Sequence, residues 1–146
     1  MRHALASRRD RGSVSVEVVI LGPVLVFFVL AVFFAGRYAL AQQSVQAAAS
    51  EAARAASIAR SAAEASGAAT GAASASLTNQ DMRCATQTVS VDTTAFAQGP
   101  GTPGLIWATV SCQVDMSDLS FPGIPGNRTL ESTMSSPIDT YRSRQG

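Results

Sequence analysis

The chain has 146 residues, with eleven basic residues against ten acidic ones, a length that allows one small domain and an accessory element. All the basic residues are arginine and no basic patch carries interleaved aromatics, so no nucleic-acid partner is expected. The one histidine, His3, stands at the far N-terminus, which leaves no histidine near the cysteines for a metal set and no base to activate the serines. With no glycine-rich phosphate loop either, neither enzyme chemistry nor a cofactor is expected.

The first twelve residues form a basic leader, with Arg2, Arg8, Arg9 and Arg11 against Asp10. The span 13–36 follows as a membrane helix. Its stretch Val18–Gly36 is 19 residues without a charge, and about 20 apolar residues at 1.5 Å each cross a ~30 Å hydrocarbon core. Four arginines precede it and Arg37 alone follows closely. The positive-inside rule then places the N-terminus in the cytoplasm and the body from Tyr38 outside a single-pass cell-membrane anchor. Pro23 removes a backbone donor within this helix and is expected to kink or loosen it.

Glu17 stands at the mouth of the apolar run. A carboxylate buried there without a partner costs on the order of a few kcal/mol, which marks it as functional by default, here for assembly. The bland alternative is an interfacial glutamate that reaches back to the headgroups.

Residues 37–76 are dominated by alanine, serine and glutamine, with Leu40, Val45 and Ile58 among their few large apolar side chains. Alanine favours helix, so this zone is expected to extend the membrane helix outward. Its small residues suit close packing against another helix. The alternative is an alanine-rich, low-complexity linker.

Residues 77–146 read as a small antiparallel β domain. A strand is expected near 85–94, rich in threonine and valine. A glycine–proline loop spans 99–104. Then Ile106, Ala108, Val110, Cys112, Val114 and Met116 alternate with more polar neighbours and form the buried face of a second strand. Trp107 falls on the opposite face, where filling against the helix is expected over a contact role. A third strand runs over about 127–136, and the polar tail from 141 frays. Three strands against one helix make a layered α+β domain.

A hairpin centred on Gln98 pairs residues whose numbers total 196, which sets Cys84 opposite Cys112 on one face; the loop leaves that register free by a residue or two. A disulfide there could contribute ~3 kcal/mol. Two unpaired buried thiols are the alternative.

Arg11, Gly12, Glu17 five residues later and Pro23 six beyond that, in an apolar helix, resemble the TadE-like proteins of tight-adherence pilus systems. These are minor pilin-like proteins, or pseudopilins. Leu119, Phe121, Pro122, Gly123, Ile124, Pro125, Gly126 and Arg128 resemble the loop before that family's last strand. Two positions depart from the pattern: Val18 follows the glutamate where an aromatic is common, and Ser13 replaces the bulky first residue of ordinary type IV pilins. The resemblance implies cleavage between Gly12 and Ser13 by a membrane aspartic prepilin peptidase. It also implies an assembly role for Glu17, other pilin or pilin-like subunits as partners, and a pilus assembly platform driven by a secretion ATPase. The major pilin of such systems is much shorter, so a minor component is expected.

A competing processing site is Ala39, Leu40 and Ala41 before Gln42, which fits the small-x-small rule of ordinary signal peptidase. Its product would be a secreted binding domain; an uncut leader would leave a membrane-tethered one.

Overall fold

The computed structural model describes residues 10–99, 101–115 and 126–140, with side chains from Glu17 onward. The chain divides between Tyr38 and Ala39 into two compact units. In order, the elements are α1 (Asp10–Ser57), α2 (Ala62–Asn79), β1 (Thr86–Asp92), a 3-10 turn (Thr94–Ala97), β2 (Leu105–Asp115) and β3 (Asn127–Pro137). The fold class is α+β, a long apolar N-terminal helix followed by a small three-stranded antiparallel sheet.

The expected outward helix over 37–76 is broken. α1 stops at Ser57 and a second helix starts at Ala62. The cause is a cap written in the sequence. Ser61 takes extended backbone angles and its hydroxyl accepts from the Glu64 amide at 3.2 Å. The Glu64 carboxylate reaches back and accepts from the Arg60 amide at 3.0 Å. Together they satisfy donors that a helix start leaves open. At the other end, the Met82 amide returns to the Leu77 carbonyl and the Asp81 amide to Thr78. Asp81 sits in the left-handed region, at φ 53°, which is the geometry that closes a helix in this motif.

The strands form a meander in the order β1-β2-β3. β1 pairs with β2 through Val89↔Val110, and β2 with β3 through Val110↔Ser132. Side chains alternate across a sheet, so the even positions of β2 share one face. Ile106, Ala108, Val110 and Cys112 are all fully buried there. Val114 is half-buried, and Met116 lies outside the described residues.

Both helices cover that face. Gln42 of α1 donates to the Glu131 carbonyl of β3 at 3.2 Å, and Ser136 of β3 donates to Ser57 at the end of α1 at 3.1 Å. On the other side, Gln87 of β1 donates to Ser74 of α2 at 3.0 Å. A groove of about 400 Å³ bounded by Glu51, Ala72 and Ala75 runs between the two helices. The layer over the sheet is therefore a helical hairpin, where a single helix was expected.

Its interior is almost entirely alanine. Ala48, Ala49, Ala52, Ala53 and Ala56 of α1 and Ala65, Ala69 and Ala73 of α2 are all at zero exposure. In α2 the buried positions recur every four residues, ending at Leu77, one stripe along a helix. Alanine lets backbones approach closely but buries little area per residue, so the weight falls on Val45, Leu77, Phe96, Ile106, Val110 and Leu130.

The first strand is shorter than expected. Asp92 ends it by accepting from the Thr94 amide at 3.0 Å, and Thr94–Ala97 forms a 3-10 turn whose Ala95 and Phe96 are buried. Gly104 lies against that turn: a Cβ on it would stand 3.1 Å from the Ala95 Cβ. The third strand runs one residue beyond the expected 127–136.

Candidate functional site

Helix formation at the N-terminal end follows from composition. From Val18 to Gly36 the side chains are long or branched apolar groups with alanine, two glycines and one proline, and α1 continues without interruption through Pro23. Backbone helix already covers Gly12 and Ser13. Glu17 is exposed, and so are Val18, Val19, Ile20 and Leu21 beyond it.

In this stretch most of the apolar side chains are exposed. Val19 is 72% exposed, Phe28 64% and Phe33 65%. The helix contains an 18-residue window of mean hydropathy 3.0, none of it buried within the chain. A patch of this size left in water would be far larger than a soluble monomer carries. This helix is long and apolar enough to cross a membrane, and it lies near the N-terminus. Glu17 stands within α1, directly before its charge-free apolar run.

In the second unit the small residues of 37–76 make the close helix packing expected of them, and the partner helix is α2 of the same chain. The structure buries Ala41, Ala48, Ala49, Ala52, Ala53 and Ala56 inside their own domain. They are spent on the helical hairpin and the sheet. Glu17 and the apolar part of α1 before Tyr38 stay exposed along this helix, and beyond them so do Leu40, Gln43, Gln46, Glu51 and Arg54.

Cys84 and Cys112 are joined in a disulfide, with Cα atoms 5.3 Å apart. The hairpin register that suggested this pair is corrected. Gln87 faces Cys112, so paired numbers total 199 and the true register lies three residues from the expected one. The 3-10 turn takes up chain that the simple hairpin assigned to the strand and loop. Cys84 precedes β1, and a bend at Ala85 carries the chain out of the ladder. There the Ala85 amide donates to the Gln113 carbonyl at 2.7 Å. The bridge thus ties the segment after α2 to the centre of the sheet. Trp107 is also corrected: it is 45% exposed, on the face away from the helices.

The loop motif at 119–125 lies outside the described residues. Among the described residues no group of three or more His, Cys, Asp or Glu side chains could hold a metal ion. The grooves along the helical hairpin are open and lined by alanine together with polar and charged side chains, Arg60 and Glu64 in one and Glu51, Asn79 and Gln80 in the other.

The chain thus carries one helix long and apolar enough to cross a membrane, followed in sequence by a small disulfide-tied α+β domain. Residues 12–54 match the family described as TadE-like protein, a pilus-related structural family. No curated protein and no solved structure matches the chain. The match spans nearly all of α1 and takes in Gly12, Ser13, Glu17 and Pro23; the sheet and both cysteines lie beyond it.

Proposed function

We propose that this chain is a minor pilin-like subunit of a tight-adherence pilus, contributing to its assembly, initiation or tip. The carrying observation is the position of Glu17: an exposed carboxylate directly before the unburied, membrane-length apolar run of α1, inside the TadE-like stretch. In this reading a prepilin peptidase cuts between Gly12 and Ser13, and the 1–12 leader is lost. The helix over 13–36 spans the cell membrane, with the N-terminus inside and the β domain outside, which suits a disulfide formed in an oxidising compartment.

The chemistry of assembly follows from charge. Cleavage frees an ammonium group at Ser13, four residues and about one helical turn before Glu17. An anion near a helix N-terminus is favoured by the dipole, and in low dielectric a lone carboxylate is costly. The amine of a neighbouring subunit can neutralise it as the helices bundle. The penalty on an isolated subunit becomes an attraction between subunits, and an assembly platform with a secretion ATPase extracts them from the bilayer.

The test is the N-terminal residue of the mature protein isolated from cells. Ser13 is expected; Gln42 or an intact leader would overturn the proposal, the first in favour of a secreted binding domain, the second of a tethered one. The 41–42 bond lies inside α1, with Ala41 buried and Gln42 bonded to β3, which favours keeping that segment attached. Glu17→Gln should leave cleavage intact and reduce incorporation into pili by at least tenfold; assembly at the wild-type level would remove the pairing mechanism.

A further inference from the structure

The sheet has a second face that no helix covers among the described residues. Its side chains come from the even positions of β1 and the odd positions of β2 and β3, and Trp107 and Leu105 stand there at 45% and 49% exposure. The floor around them is hydroxyl-rich, with Thr88, Ser90, Thr109 and Thr133; the last two share a hydrogen bond of 2.8 Å. Three acidic residues, Asp92, Asp115 and Glu131, belong to this face, and no basic residue does among the described strands.

We propose that this face binds an arginine- or lysine-bearing protein segment, with one cationic side chain lying over Trp107 and held by Asp92. The register sets Asp92 directly across from Trp107. Directly opposed side chains in an antiparallel pair have Cβ atoms about 4.5–5.5 Å apart. A cation within about 6 Å of an indole face is attracted by its quadrupole, and a carboxylate beside the ring adds a charge-assisted hydrogen bond. The Thr94 amide, donating to the Asp92 carboxylate, holds its pKa below the usual value, so the charge persists into mildly acidic solution. Glu131 lies further along the same face and extends the negative field for a partner carrying more than one cation.

Size argues for a segment over a second folded copy. Three strands at about 4.8 Å and up to eleven residues at about 3.4 Å give a face of roughly 500 Å². A standard interface takes about 800 Å² from each partner, an extended cationic segment fits along a smaller face, and a second copy of this face would set its own carboxylates against these. Charge complementarity sets its chemistry, and the inference stands whether or not the chain polymerises.

Trp107 is the sole tryptophan of the chain and reports on its own site. The full chain in phosphatidylcholine nanodiscs is titrated with a blocked Gly-Arg-Gly-Arg-Gly peptide while tryptophan emission is followed. A saturable change is expected, absent with the citrulline form of the peptide and weakened about tenfold by raising salt from 50 to 500 mM. Asp92→Asn keeps an oxygen for the Thr94 amide and should weaken binding at least fivefold. Glu131→Gln, whose fold contact is through its main-chain carbonyl, should weaken it about twofold. An equal response to citrulline, an unchanged affinity in Asp92→Asn with intact circular dichroism, or no saturable change overturns the proposal. So does saturation by a neutral glucose hexamer in place of the cationic peptide, which would assign the face to glycan.

Discussion

Asp81 occupies a backbone conformation that glycine adopts most easily. It is left-handed at φ 53° and closes α2, and aspartate is among the few residues that tolerate the region. Asp81→Gly should raise stability by about 0.5–1 kcal/mol, because the Cβ penalty disappears while both closing hydrogen bonds remain. Asp81→Val should lower it by more than that, since a β-branched side chain is poorly accommodated at positive φ. Urea denaturation of the two variants, read as opposite shifts of the midpoint, checks the sign. Gly104 makes the reverse case at ordinary φ: what holds it to glycine is the Ala95 methyl 3.1 Å from where a Cβ would stand.

At the scale of elements, the break between the helices is the decisive feature. A helix continued past Ser57 could not have folded back over β1. Ser61 and Glu64 set the restart, and their spacing is a capping signature that was present in the sequence. The uniform alanine content on both sides masked it, since propensity alone gives no reason to stop. Ser61→Ala should cost about 1 kcal/mol. Thermal melting monitored by circular dichroism should show the loss, with amide exchange quickening in the first turn of α2 before the sheet. Unchanged exchange there would mean that packing of Ala65, Ala69 and Ala73 holds the helix without its cap.

For the whole molecule, the small core makes the covalent link count. Few large side chains are buried in the second unit, and domains of this size often need a staple. The disulfide closes 28 residues of sequence, worth about 3.5 kcal/mol by loop entropy. Cys84→Ser with Cys112→Ser should lower the stability of the sheet domain by about that amount. The apolar part of α1, which belongs to the other unit, should stay helical in detergent. Differential exchange between residues 18–36 and the strands measures this, and equal loosening of both would show that the two units are energetically coupled.

The sequence alone determined the features that rest on local pattern and solvent preference. The charge-free run Val18–Gly36 implies a bilayer-length helix because apolar length is additive along a chain. The alternation from Ile106 to Cys112 marks a half-buried strand because side chains in a strand change face at every residue. Gly12, Glu17 and Pro23 carry the family likeness in their spacing. Tertiary structure decided what depends on distant partners. It folded the alanine zone into a hairpin, supplied α2 as the helix against which the small residues pack, and moved the strand register by three positions while still joining the cysteines. It also left Trp107 in solvent. The physical reason is that alanine and threonine are compatible with several environments, so their burial is set by which surface meets them; a long apolar helix or an alternating strand has its environment fixed by its own composition.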